Sequence, residues 1–387
     1  MSRLRLLLLG LFLPFSLSAI VERVVDLPGL EYDFVVIGGG TAGNVIANRL
    51  TENAKFSVLV LEAGGSNEGI LNVTIPLRCP TLTPNTPFDW NFTTVPQPGL
   101  NGRQISYARG HILGGSSSVN FMGYTRGSSA DYDRYATITG DPGWSWKRIF
   151  PYILKNERWT APADNHNTTG QFNPAVHGYN GVNSVSLAGF SRPIDRRVIQ
   201  TTRELPEFLS ILILTRDTSS DSAIHNPQFA TYRSRKNLHV LLHAQVARVL
   251  QTGNSHGRLS FKTVEFTEGK GGRTVQVRAK KEIVLSAGSI GTPHILLNSG
   301  IGDKTALAQV GIKPLVHLPS VGQNLSDHPV VGDQWLVNAG PTDTFEALGR
   351  NETYAAEQLE LWTTKRSGTL AAGTYNTVGW HRLPENA

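Results

Sequence analysis

Three glycines and one acid define the chemistry open to this chain. Gly38-Gly39-Gly40-Thr41-Ala42-Gly43 follows directly on the β-branched run Tyr32 to Ile37, and Asn44 to Leu50 continues at helical spacing. In such a strand, turn and helix, Gly38 allows the tight turn and Gly40 lets the backbone approach a pyrophosphate. Gly43 lets helix and strand pack closely, while Thr41 and Ala42 sit at the helix N terminus that faces the phosphates. A second apolar strand, Ser57 to Leu61, ends in Glu62 and then Ala63, with Glu62 placed 19 residues after Gly43. A carboxylate there accepts hydrogen bonds from ribose hydroxyls and repels a 2′-phosphate, so the motif suits the adenosine half of NAD or FAD and excludes NADP. Between NAD and FAD these residues do not choose.

The elements that must position these groups belong to a large chain. At 387 residues it is too long for one ordinary core, which suggests two domains. Hydrophobic residues at 40% and charged residues at 17% allow a large buried core and exclude a disordered chain or a multispan membrane protein. The 39 glycines and 21 prolines follow no fixed period, which disfavours a helical bundle. The net charge of +6 comes from scattered pairs such as Arg196-Arg197 and Lys280-Lys281, read as solvated surface with no nucleic-acid partner. Cys79 is the sole cysteine, so no intrachain disulfide and no cysteine-based zinc site can form. His239 and His243 stand four apart, but Val240 replaces the glutamate of a metalloprotease helix motif and the run is β-rich. Both are read as ordinary strand residues, and no metal is expected. At the start, Arg3 and Arg5 precede Leu6 to Phe15 and then Ser16-Leu17-Ser18-Ala19, the pattern of a secretory signal peptide over residues 1–19. That stretch is shorter than the roughly 18 to 20 apolar residues of a membrane span, so a secreted protein with no membrane partner is expected. Sequons at Asn72, Asn91, Asn167, Asn324 and Asn351 are compatible with a secreted glycoprotein.

A second glycine-rich segment, Arg109-Gly110-His111-Ile112-Leu113-Gly114-Gly115-Ser116-Ser117-Ser118-Val119-Asn120, offers close-approach glycines, hydroxyls and an amide to a polar ligand. By composition alone it also reads as a surface loop. Leu113 to Asn120, with Tyr124-Thr125-Arg126-Gly127 and Asp131-Tyr132-Asp133, resembles the first signature of the glucose-methanol-choline flavoprotein oxidoreductases. Gly288 to Gly302 is similar to their second signature, and Val321 to Pro329 to the segment after it. The resemblance runs from about Tyr32 to the C terminus and points to secreted fungal aryl-alcohol oxidases and pyranose dehydrogenases. It implies an α/β fold: a Rossmann-like FAD-binding domain, discontinuous over residues 30–123 and 237–330, and an α+β substrate domain from 124–236 and 331–387, with the last part of the fold missing. It also implies FAD contacts at Leu113, Gly114, Gly115, Ser116 and Asn120, along the backbone of Phe121, Met122 and Gly123, and at Val246 beside the adenine. Members with covalent FAD carry a histidine where Val119 stands, so noncovalent FAD is implied. His111 stands where lysine or arginine is commoner.

In that family hydride passes from a CH–OH carbon of an alcohol or sugar to flavin N5, with oxygen or a quinone as electron acceptor, while a histidine takes the proton. Relatives carry that histidine beyond the position matching Ala387. No catalytic residue is therefore assigned, and the 387 residues as they stand are expected to be inactive. His328, in Asn324-Leu325-Ser326-Asp327-His328-Pro329, is read as structural. Two other readings are a non-catalytic flavin-fold fragment and a hydroxynitrile lyase of the same family. Ile283 to Gly291 mimics a nucleophile elbow but lacks its first glycine. There Thr292 is expected to cap a helix with Pro293 at its first position. Between Leu209 and Gln228 the resemblance fades and the chain is shorter than its relatives.

Overall fold

The apolar runs around the glycine turn form the centre of one twisted sheet. In the computed structural model, residues 19–204, 211–213, 235–328, 343–374 and 377–379 are described, together with 330, 332, 336, 338 and 340. The expected leader lies outside these residues except for Ala19, as does most of the 209–228 stretch. The strands of the main sheet are β1 (Ala19–Val21), β2 (Glu31–Ile37), β3 (Val58–Leu61), β4 (Leu238–Leu241), β5 (Ala244–Ser255), β6 (Arg258–Glu268) and β7 (Thr274–Leu285). Across the sheet their order is β1-β4-β3-β2-β7-β6-β5.

The strands β1, β4, β3, β2 and the end of β7 run parallel, with Val35 beside Leu59 and Ile283, and Leu59 beside His239. Parallel strands are covered on both faces, which is why β3 and β4 are apolar or buried at every position. Alternate residues feed two cores. Val35, Ile37, Leu59 and Leu61 pack with Phe266 and Val264 on one face, whereas Val36, Val58, Val60 and Val240 pack with Ala47 and Leu113 on the other. Ala47 belongs to α1 (Thr41–Leu50), the helix that leaves the glycine turn.

The strand β7 joins two patterns. Its first half, Thr274 to Arg278, pairs antiparallel with β6, and its last four residues pair parallel with Phe34 to Ile37 after an irregularity between Ala279 and Glu282. Beyond Arg126 the chain builds α2 (Ser129–Thr139), opened by a reciprocal capping box between Ser128 and Asp131, then α3 (Trp146–Asn156). A two-stranded parallel ribbon pairs Glu157–Trp159 with Asn183–Val185.

Two local expectations are corrected. The helix after β7, α4 (Gly288–Asn298), begins at Gly288, so Thr292 is not its cap and Pro293 lies inside it. Gly288, at φ +80°, turns the chain after Ser286 and Ala287, and Pro293, the sixth residue of the helix, lacks the N–H that would bond the Ser289 carbonyl. His243 is not a strand residue: it occupies the link between β4 and β5 at φ +55°, with its N–H donating to the Gly64 carbonyl at 3.1 Å. His239 does lie in β4, buried.

Leu59 is wholly buried at the centre of the first core, whereas Val95 is 72% exposed. Leu59→Ala should lower unfolding free energy by about 2 to 5 kcal/mol in urea denaturation, and Val95→Ala should change it by less than about 0.5 kcal/mol.

Candidate cofactor site

Packing within the chain requires two of the three motif glycines to be bare and leaves the third open. Gly38 takes φ +94°, and a Cβ there would lie 2.6 Å from the Ser286 carbonyl oxygen at the end of β7. A Cβ on Gly43 would lie 1.9 Å from the Gly38 carbonyl oxygen, so helix α1 rests on the turn only if this position is bare. Gly40 differs, because a Cβ there would have nothing nearer than the Gly115 Cα at 3.8 Å. Packing within the chain does not require a glycine at 40, which leaves that space for something outside the chain.

Around this turn the second glycine segment closes. Gly114 donates its N–H to the Gly39 carbonyl at 2.8 Å, and Asn44 Nδ2 donates to the same oxygen at 2.8 Å. A Cβ on Gly115, at φ +54°, would meet the Gly40 Cα at 2.9 Å, so the two glycine segments touch backbone to backbone. Ser286 Oγ donates to the Ile37 and Gly38 carbonyls at 2.8 and 3.1 Å and locks the far side. No side chain caps the N terminus of α1 at Gly40.

Glu62 stands at the end of β3, only 6% exposed. Its Oε2 accepts the Gly39 N–H at 2.8 Å and its Oε1 accepts the Gly64 N–H at 2.7 Å. Burial pushes its carboxyl up to about 7, against the opposing pull of the N–H groups of Gly64, Gly39 and Ala63. Each oxygen retains a further acceptor site for a hydroxyl.

A cavity of about 940 Å³ opens over these groups. Of the residues expected from the sequence, Gly38, Gly40, Thr41, Ala42, Glu62, Ala63, Gly115, Ser116 and Val246 line it. Gly43, Leu113 and Gly114 stand behind the wall, with Leu113 fully buried. Asn120, Met122 and Gly123 instead line a second cavity of about 580 Å³, together with Lys155 and Asn183. Thr41 lines both cavities, and its Oγ1 lies 2.5 Å from Ser117 Oγ at their boundary. Phe121 lines neither and is 44% exposed.

Sequence reasoning missed Trp90, Phe92 and the stretch from Ser286 to Ile295, all of which line the larger cavity with Arg109. Trp90 and Phe92 stack at 5.6 Å, and Arg109 lies over Tyr107 at 4.1 Å and pairs with Asp327 at 3.7 Å. Only the resemblance of residues 288–302 to a signature hinted at that wall. His111 packs on Trp90 at 4.5 Å rather than lining the cavity, and His328 is exposed with its N–H on Asp327 Oδ1 at 2.8 Å. Among the described residues no group of three or more His, Cys, Asp or Glu side chains is arranged to hold a metal ion, and no helix is long and apolar enough to cross a membrane.

A bare approach at Gly40, an uncapped helix N terminus, a buried acid with acceptor sites to spare and two cavities meeting at Thr41 fit a dinucleotide laid across the turn. The family model described as GMC oxidoreductase matches residues 32–330, and the chain belongs to that family. It is 39% identical to the dehydrogenase eriK of Hericium erinaceus, across 96% of this chain and 64% of that one. With a pyranose dehydrogenase of Agaricus campestris it shares 37% identity, across 93% of this chain and 61% of that one. Its fold matches an FAD-dependent oxidoreductase from Chaetomium thermophilum with a TM-score of 0.79 at 30% identity, covering 89% of this chain and 61% of that one. The chain thus spans 61 to 64% of the length of these relatives. FAD is the cofactor of this family.

The Glu62 geometry has a pH signature. Its folded value of about 7 lies above the ordinary 4.5, so the stability linked to its proton is complete below about pH 4.5 and is lost as pH rises to about 7. In cofactor-free protein, unfolding free energy should therefore fall between pH 5 and 7 more steeply for the wild type than for Glu62→Gln. Parallel curves from urea titrations across that range would contradict the burial of an ionisable group there.

Proposed function

We propose that the protein is an FAD-dependent oxidoreductase acting on CH–OH groups of primary alcohols or sugars, with the cofactor held noncovalently across the glycine turn. The observation that carries this reading is the pairing of a bare Gly40 with a buried Glu62 on one cavity. In this arrangement the backbone N–H groups at the start of α1 and the Thr41 hydroxyl take the diphosphate. Glu62 accepts from the ribose hydroxyls, with Ala63 and Val246 as the apolar wall for the adenine. The flavin end extends past Thr41 towards Asn120, Met122 and Gly123, in the second cavity. Bound FAD supplies the two-electron acceptor for alcohol oxidation, and oxygen or a quinone reoxidises it.

Val119 supports noncovalent attachment, because it is buried with Cys79, Leu82 and Ile112 and carries no nucleophile. Residues 30–123 and 237–330 would form the cofactor domain and 124–236 with 331–387 the substrate side. A secreted location is supported by the pattern of residues 1–19 and by exposed sequons at Asn91, Asn167, Asn324 and Asn351.

Among the described residues, His294 is the one histidine lining either cavity, and its Nε2 lies 3.2 Å from Asn298 Nδ2. No base is assigned within these 387 residues.

Purified chain mixed with FAD should retain flavin through gel filtration, absorbing near about 450 nm, a property of the oxidised flavin itself. Gly40→Val should lose it, since the side chain fills the phosphate approach, and yellow mutant protein would sink the assignment. Glu62→Gln should bind FAD about tenfold or more weakly, through loss of a charge-assisted hydrogen bond. Acid precipitation should leave the flavin in solution. With benzyl-type alcohols or glucose, and oxygen or a quinone, turnover by this chain should stay well below ~1 s⁻¹. A rate of that order would place a base within it, and His294, which lines the larger cavity, would be the first histidine to replace.

A further inference from the structure

Beside the second cavity lies a buried ionic cluster that the cofactor reading does not use. Glu157, directly after α3, has a side chain with no exposure. Its Oε1 takes the His177 Nδ1 contact at 2.5 Å, and its Oε2 accepts from the Arg126 guanidinium and from the Gly178 N–H at 3.3 Å. Arg126 also donates from Nη1 to the Val176 carbonyl at 2.6 Å, so one guanidinium grips two separate segments. The His177 ring packs on Trp159 at 4.4 Å. A Cβ on Gly178 would lie 2.0 Å from the Leu154 carbonyl oxygen, so the loop that carries His177 is pressed against the end of α3.

The three segments meeting at Glu157 supply one side of the second cavity, whose other side comes from α1 and residues 73–82. Asn120 to Tyr124 lead into Arg126, Tyr152 to Asn156 lead into Glu157, and Val182 and Asn183 follow His177. A carboxylate removed from water must keep its partners, and an arginine fork fixes direction as well as distance. We propose that Glu157 is a positioning residue which, through Arg126, holds the segment from Asn120 to Gly127 in the conformation that the flavin end of the cofactor requires. The proposal rests on the placement of FAD given above, whereas the first of its two readouts, on the segment alone, does not.

The test compares wild type with Glu157→Gln, which keeps the shape but not the charge, and Arg126→Lys, which keeps the charge but cannot bridge Glu157 and Val176 together. In cofactor-free protein at low temperature, amide hydrogen exchange across residues 120–127 should accelerate by about tenfold or more in both variants, with exchange across α1 unchanged. With FAD bound, the visible circular dichroism of the flavin should change, and affinity should fall by about tenfold. A merely structural role would lower the thermal midpoint and speed exchange across the whole chain, leaving the flavin spectrum alone, and that outcome would overturn the proposal. So would unchanged exchange in residues 120–127. Should Glu157→Gln fail to accumulate, Arg126→Lys decides. Wild type that binds no FAD would sink the cofactor reading, while the exchange measurement would still decide whether Glu157 and Arg126 hold residues 120–127.

Discussion

A buried carboxylate at the end of β3 ties the site together. Glu62 grips the Gly39 N–H on one side and the Gly64 N–H on the other, so the turn after β2 and the turn after β3 share one anchor. Burying a carboxylate is costly, and these backbone donors offset only part of the cost, which is why its proton is held up to about 7. Gly39 is held on both sides, since its carbonyl receives the Gly114 N–H and Asn44 Nδ2. Through Gly39 the acid is linked to α1 and to the second glycine segment, and the larger cavity lies where these meet.

Around that anchor the cavity has one wall that is local in the chain and one that is not. The turn, α1 and Glu62 come from residues 38–62, whereas Val246 and the stretch 286–295 arrive from more than 180 positions further on. The sheet order brings them together, since β7 pairs parallel with β2 and delivers Ser286 onto the Gly38 carbonyl. The site is therefore complete only when both stretches are in place.

The legible parts of the site were the local ones. A strand, three glycines, a helix and a strand-end acid follow from short-range sterics, and packing requires bare positions at Gly38 and Gly43 while leaving the space over Gly40 open. Trp90, Phe92 and the Arg109 pair with Asp327 were not legible, because what brings them to the cavity is tertiary pairing with no periodic signature. The start of α4 was misjudged because Thr292-Pro293 carries a strong local capping pattern, while Gly288 turns the chain earlier. Arg126 was visible within a motif, but its partner Glu157 lies 31 positions on and its burial depends on the loop from 176 to 183. The family relation is clear from several separated motifs. The chain spans 61 to 64% of the length of the curated relatives it matches.

The central claim is that the Gly40 and Glu62 surface is a cradle for FAD. A crystal structure of the chain with FAD bound addresses it directly. The diphosphate oxygens should lie about 2.7 to 3.2 Å from backbone nitrogens at the start of α1, with a ribose hydroxyl at hydrogen-bond distance from Glu62 and the flavin ring beyond Thr41 towards Asn120. A diphosphate seated elsewhere, or a ribose turned away from Glu62, would contradict the account.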